Sequence, residues 1–311
     1  MANLGYLQVV RRCNQHCRFC SNPPTGGELE LGVARAAIDD FCARGYSGVV
    51  LTGGEPSLWP WVAELCRYAQ ERGLAVRMIT NGSRLGEPGL LESYLAAGLR
   101  HFHVSIQTCR ASLGDSLSGV PGSVERAMLA LGRLGAAEVA VHVNTVIGRF
   151  NADHLDETVR CLTGRFPFVR HYVWNNLDPS LGLGTVSGDV VERLRDLELS
   201  LSRAMRHLHA TGRSFRVERV PLCFMTEFAD CSTESRKIVK REERIVHFLD
   251  DKGLVRQTDF RHTKAEGCRW CPLDDICAGL FEHYDRRMLG ELHPVFVRKE
   301  PIVERLLAEG E

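Results

Sequence analysis

Six times between Gly5 and His209 a short strand-like run is followed by a stretch with helical spacing of its apolar residues. The strand-like runs are Gly5 to Arg11, Gly48 to Thr52, Ala75 to Thr80, Arg100 to Gln107, Glu138 to Val146 and Phe168 to Trp174. Helical stretches follow at Gly32 to Ala43, Pro60 to Arg72, Glu87 to Ala97, Val124 to Leu134, Ala152 to Thr163 and Val190 to His209. Such alternation implies a parallel sheet with helices outside it. Right-handed crossovers then curl the sheet toward a barrel. Six units fall short of the eight of a closed barrel. The expected fold class is α/β, a partial (β/α)6 parallel barrel, with a doubly wound open sheet as the competing architecture.

The pattern changes after about residue 212. Ser214 to Pro221 reads as a short strand, Cys223 to Arg241 as a polar loop, Ile245 to Thr258 as a hairpin and Asp274 to Leu289 as a helix. A boundary near residue 215 divides the chain into a core, 1–215, and a cysteine-rich α+β unit, 216–311. The second unit is too small and polar for a large core of its own, so a metal staple is expected.

Composition excludes several classes. Of 311 residues, 44% are hydrophobic and 25% charged, which rules out disorder for most of the chain. Lys plus Arg and Asp plus Glu are both 39, a formal net charge of zero, which argues against binding nucleic acid by bulk electrostatics. No apolar run reaches the length of a membrane span, and the N-terminus lacks a signal-peptide pattern. A cytoplasmic location with reduced thiols is expected.

Cysteine is the outlier, with 12 residues unevenly spread. Cys13, Cys17 and Cys20 follow directly from the first strand, at the ligand-binding edge of a parallel α/β sheet. Three thiolates this close can hold three corners of a 4Fe–4S cubane, which ordinarily takes four cysteines. The next cysteine is Cys42, inside a helical stretch, so one iron would stay open for a substrate or cofactor. A zinc site completed by His16 is the competing reading. Cys42, Cys66 and Cys161 read as packed helix-face residues, and Cys109, just past the fourth strand, is left open.

Cys-x3-Cys-x2-Cys with Phe19 before the last cysteine, and Gly53-Gly54-Glu55-Pro56 after the second strand, together resemble the radical S-adenosylmethionine (SAM) superfamily. The resemblance covers roughly residues 5 to 215. Glycines there allow close approach of the backbone, and strand-end carbonyls and Glu55 offer acceptors for the amino group of SAM. Period-2 alternation puts His101, His103, Ser105 and Gln107 on one face of the fourth strand, and His142 and Asn144 on one face of the fifth. A polar inner face implies a lumen that holds a polar ligand. The family pattern places Ser105 and Asn144 on the ribose and methionine of SAM, with Asn81 a similar candidate.

Cys268-x2-Cys271-x5-Cys277 resembles the SPASM and shorter twitch domains, which hold auxiliary 4Fe–4S clusters. No cysteine follows Cys277, so one auxiliary cluster is expected, on Cys223, Cys268, Cys271 and Cys277, with Cys231 spare; a structural zinc ribbon is the alternative. The resemblance implies reductive cleavage of SAM to a 5′-deoxyadenosyl radical that abstracts hydrogen from a substrate. It further implies an external reductant of flavodoxin or ferredoxin type. The expected substrate is a ribosomally made peptide that is crosslinked, epimerised or oxidised. Small-molecule or cofactor biosynthesis is the alternative, with RNA modification and a non-enzymatic iron–sulfur or zinc protein behind it. The first strand starts at residue 5, so no leader-peptide-binding domain is expected ahead of it.

Overall fold

The computed structural model describes residues 4–20, 22, 25–177, 193–281, 284 and 286–308. Its strands are β1 (Leu4–Val10), β2 (Gly48–Gly53), β3 (Ala75–Thr80), β4 (His101–Ser105), β5 (Ala140–Ile147), β6 (His171–Asn176), β7 (Ser214–Glu218), β8 (Arg244–His247) and β9 (Leu254–Gln257). The helices are α1 (Leu31–Ala43), α2 (Val62–Glu71), α3 (Leu90–Ala96), α4 (Ala111–Ser118), α5 (Ser123–Ala136), α6 (Leu155–Arg165), α7 (Leu194–Ala210), α8 (Thr233–Lys240) and α9 (Glu300–Ala308).

The strands form one sheet in the order β7-β6-β5-β4-β3-β2-β1-β8-β9. Neighbours from β7 to β1 are parallel, β8 joins β1 in parallel, and β9 returns antiparallel to β8. Each strand from β1 to β7 sits beside its predecessor in sequence. A doubly wound sheet reverses strand order at a switch point; here there is no reversal, so successive right-handed crossovers keep the helices on one face. That decides for the partial barrel.

Alternation explains the two faces. On β5 Val141, Val143, Thr145 and Ile147 are buried, while His142, Asn144 and Val146 between them are half-buried on the inner face. The β-branched outer residues suit a pleated surface under helices. The covering helices answer in kind: α5 buries Ala127, Met128, Leu131 and Leu134, a stripe at helical spacing.

Several local readings differ. The sheet extends past six strands, because Ser214–Glu218 pairs with β6 (Trp174 opposite Val217) and the hairpin joins the far edge through β1. The boundary near residue 215 thus falls inside β7. The polar stretch after Cys223 is not a simple loop. It folds into short 3-10 turns and α8, whose N-terminus is capped by Ser232 Oγ accepting from Ser235 N–H at 3.3 Å. Its scattered apolar residues Phe224, Met225, Phe228 and Ala229 are all buried. Of the helix expected over Asp274 to Leu289, the described residues form only a 3-10 turn over Arg286–Glu291 at its far end. Gly279, at φ +87°, turns the chain so that Leu280 bridges to Thr263. The early part of the helix expected from Val190, residues 190–192, lies outside the described residues.

Candidate functional site

The cysteine loop begins where β1 shifts register against β2, between Gln8 and Val10. It is closed at its base: Arg11 N–H donates to Gly27 O at 2.6 Å and Leu29 N–H to Val9 O at 2.8 Å. It is also pinned to the end of α4, with His16 N–H on Ser118 O at 2.8 Å and Arg18 N–H on Leu117 O at 3.0 Å. Phe19, 8% exposed, packs with Leu117 and Leu177, its ring 5.1 Å from that of Phe150. The aromatic before the last cysteine is therefore the loop's apolar anchor.

Cys13, Cys17 and Cys20 line one cavity of about 240 Å³ together with Gly53, Gly54, Asn81, Ser105 and Gln107. Burial pushes all three thiols up, Cys17 to about 12, with Cys20 and Cys13 adding to the effect. The glycines of β2 are required by contact. Gly53 sits at φ +133°, and a Cβ there would collide with the Val10 carbonyl oxygen; one on Gly54 would strike that of Arg12. These contacts seat the end of β2 directly against the cysteine loop.

Glu55 and Pro56 are placed differently from the other motif residues. The Glu55 carboxylate is 1% exposed and accepts from Ser57 N–H at 3.0 Å, Thr80 Oγ1 at 2.8 Å and Asn81 N–H at 2.7 Å. Three protein donors hold it, and neither it nor Pro56 is among the cavity-lining residues. Asn81 does line the cavity. Its amide donates to Asn14 Oδ1 at 2.9 Å, lies 3.9 Å from Cys13 Sγ, and its Oδ1 accepts from Ser83. Asn144 faces a second cavity of about 700 Å³, also lined by His103, His142, His171 and Arg77. Ile79 is common to both cavities.

The C-terminal cysteines converge as well. Cys223, Cys268, Cys271 and Cys277 border one small cavity beside Lys264 and His293; Cys231 is not among its lining residues. Burial pushes Cys223 to about 12 and raises Cys277. Cys66 is fully buried under the sheet, Cys42 Sγ donates to Arg72 O at 3.2 Å, and Cys109 Sγ to Thr158 O at 3.7 Å beside Cys161.

Nothing local in the sequence marks Arg11 as more than a strand end. Its side chain is 2% exposed and reaches Gln8 Oε1 and Asn22 Oδ1 at 3.3 Å and Asp250 Oδ2 at 3.5 Å. It thus links β1, the cysteine loop and the β8–β9 turn, and its charge lies near enough to Cys20 to work against the effect of burial.

The superfamily model described as Radical SAM matches residues 7–162. The chain belongs to the radical SAM superfamily. It is 33% identical over 155 residues to an AdoMet-dependent heme synthase of Methanosarcina barkeri, covering 49% of this chain and 44% of that one. It is also 33% identical over 156 residues to a PqqA peptide cyclase of Ruegeria pomeroyi, covering 49% and 41%. The match thus spans less than half the length of these curated relatives. Among solved structures, Streptococcus suis SuiB bound to S-adenosylmethionine superposes with a TM-score of 0.65 at 16% identity, over 90% of this chain and 73% of that one. Native anSMEcpe with bound AdoMet gives 0.63 at 12% identity, over 98% and 96%. Both show the shared fold.

A radical SAM enzyme holds a 4Fe–4S cluster and S-adenosylmethionine, and the donor set fits. Three sulfurs face one cavity where burial favours the protonated thiols, Arg11 opposing it only at Cys20, and bound iron would hold all three as thiolates. Among the described residues, the trio of His, Cys, Asp or Glu whose donor atoms all lie within 4.8 Å of one another is His101, His103 and His142. No helix among the described residues is long and apolar enough to cross a membrane.

Proposed function

We propose that the chain modifies a ribosomally made peptide, by a step that begins with hydrogen abstraction inside the barrel. Cys13, Cys17 and Cys20 would hold the catalytic cluster. The end of β2 at Gly53 and Gly54, with Asn81 and Ser105, would seat SAM. Once reduced, the bound cluster and SAM supply the 5′-deoxyadenosyl radical that starts the reaction. The protein's own part is to position and shield. Phe19 and Phe150 close the apolar side of the loop, and Glu55 fixes the strand ends that frame the SAM site.

The observation that carries this reading is the pairing of the cysteine loop with a second four-cysteine cavity, in residues that share the barrel's sheet. In the proposed enzyme Cys223, Cys268, Cys271 and Cys277 hold one auxiliary cluster. The named relatives support a peptide substrate: one is a peptide cyclase, and SuiB and anSMEcpe are also known in complexes with peptides. A small-molecule substrate is the second reading, favoured by the heme synthase match over the same half of the chain.

The experiment is anaerobic incubation of the reduced holoenzyme with SAM and a peptide encoded beside its gene. Formation of 5′-deoxyadenosine with a peptide that has lost two hydrogens, or gained solvent deuterium, supports the proposal. Cleavage of SAM with the peptide unchanged, and turnover of a tetrapyrrole instead, moves the assignment to the second reading.

A further inference from the structure

We propose that His101, His103 and His142 form a binding site for one divalent transition-metal ion of the zinc class, set deep in the barrel lumen and separate from both groups of cysteines. His101 and His103 are two residues apart on β4 and share its inner face. His142 lies opposite His103 in the β4–β5 register. The rings of His101 and His103 are stacked 9° from parallel with centroids 4.9 Å apart. The His142 ring stands edge-on to both, at 4.1 Å and 4.6 Å. Donor nitrogens of the three rings all lie within 4.8 Å of one another. A strand H-x-H pair with a histidine from the adjacent strand thus places three ligand atoms within reach of one ion, and one of the two stacked β4 rings must turn about its side-chain torsions to aim its nitrogen at that ion.

The second observation is the state of those rings. His101 Nε2, His103 Nε2 and His142 Nδ1 are buried without a hydrogen-bond partner. Buried polar nitrogens almost always find partners, and an ion at the centre would satisfy one on each ring at once. Three imidazoles with an open fourth position is the ligand set of catalytic rather than structural zinc sites. Imidazole also suits copper, nickel and iron, so the class of ion follows from the ligands and its identity from supply.

The surroundings say what the fourth ligand would be. The cavity of about 700 Å³ adjoins His103 and His142, and Arg77, opposite His101 on β3, lines it too. Arg77 and Arg216 oppose a bare cation. The acids that line the cavity are already paired, Glu218 with Arg244 at 2.6 Å, Glu242 with Arg236 at 2.9 Å and Glu243 with Arg256 at 2.5 Å. A metal ion here therefore calls for an anionic oxygen in its open position, a hydroxide or the carboxylate of a bound molecule, which Arg77 would also attract.

The test is metal analysis of the anaerobically reconstituted holoenzyme after equilibration with zinc sulfate and removal of loosely held ions. One zinc per chain is expected in addition to iron. Zinc-edge absorption should show nitrogen or oxygen neighbours at about 2.0–2.1 Å and no sulfur at about 2.3 Å. His103→Gln and His142→Gln should each lower zinc content at least tenfold with iron content unchanged, while His171→Gln keeps zinc. Sulfur neighbours, zinc retained in both variants, or no stoichiometric zinc in the unmodified protein would each overturn the proposal. If a variant fails to fold, the absorption spectrum of the unmodified protein still decides.

Discussion

The Glu55 carboxylate accepts the Asn81 backbone N–H at 2.7 Å, so a single buried side chain ties the end of β2 to the end of β3. The same carboxylate takes the Thr80 hydroxyl and the Ser57 N–H. Those three donors and its 1% exposure hold the carboxylate behind the strand ends, outside the cavity lining. Glu55 therefore frames from behind the cavity proposed to seat SAM.

Glu55→Ala leaves those donors without their acceptor. Charge-assisted bonds are worth about 1.5–3 kcal/mol each, and the loss is not additive, so a destabilisation of about 2–4 kcal/mol is expected. The check is chemical denaturation beside SAM titration of folded protein at low temperature. A large drop in stability with SAM affinity within a few-fold supports the framing role. Unchanged stability with SAM binding abolished would return Glu55 to direct contact with SAM.

Cys13, Cys17 and Cys20 changed together to Ala should remove about half of the roughly eight irons expected for two cubanes. SAM cleavage should vanish while iron at the C-terminal cysteines remains. Iron analysis and chromatographic detection of 5′-deoxyadenosine make the measurement. Residual 5′-deoxyadenosine would refute the assignment of the loop.

What could be read in advance was what repeats locally. The β4 alternation is visible in His101-Phe-His-Val-Ser105 and that of β5 in Val141-His-Val-Asn-Thr145, because side-chain direction in a strand follows sequence parity. The cysteine and glycine motifs were visible because spacing fixes them. The direction of the Glu55 carboxylate was not, since its partners Thr80 and Asn81 lie a whole βα unit away. The His103–His142 contact depends on cross-strand register, which no local pattern encodes. Arg11 looks like an ordinary polar strand end until Asp250, on the β8–β9 turn, comes beside it. Helix α9 carries only a faint signal, since its buried face is just Ile302 and Leu306, four residues apart. The division near residue 215 followed a change in composition, whereas sheet pairing runs on across it through β7.

Acid should weaken the junction between β7 and β8. Burial alone would raise the Glu218 pKa, but Arg244, at 2.6 Å, with Lys237 and Arg219 holds it well below the usual carboxylate range. In the unfolded chain it titrates near 4.3. The folded form therefore binds fewer protons, and the stabilisation is present above about pH 4.3 and is lost as pH falls below it. Glu234 nearby, raised by burial and by Glu218, accepts Arg219 N–H at 3.1 Å and takes up its proton first. Glu218→Gln should cost about 3 kcal/mol at neutral pH, since it leaves Arg244 without its acid. The gap between the variant and the unmodified protein, measured by denaturant titration, should narrow as pH drops from 5 toward 3. A gap that stays constant over that range would show that charge is not what joins them.

The last prediction concerns which cysteine completes the auxiliary site. Cys268, Cys271 and Cys277 come from one segment, held by Cys271 N–H on Cys268 O at 2.9 Å and Cys277 N–H on Leu273 O at 2.9 Å. Cys223 leaves β7 through Pro221 and Leu222 and meets them at the same cavity. Cys231 is no looser than Cys223. It ends a 3-10 turn whose Phe228 is buried with its ring 5.3 Å from that of Phe215. Stiffness therefore does not choose between the two, and position does: Cys223 faces the other three sulfurs, and Cys231 is absent from that cavity's lining. An anchored cysteine pointed elsewhere could reach the cluster only by unpacking Phe228 and Ala229, which forfeits their buried contacts. Cys223→Ala should thus lose the auxiliary iron and expose residues beyond β7 to proteolysis. Cys231→Ala should keep nearly all its iron. Loss of iron in the second variant and not the first would reverse the assignment. Retention in both would mean that three cysteines suffice, with the fourth iron site left for the substrate.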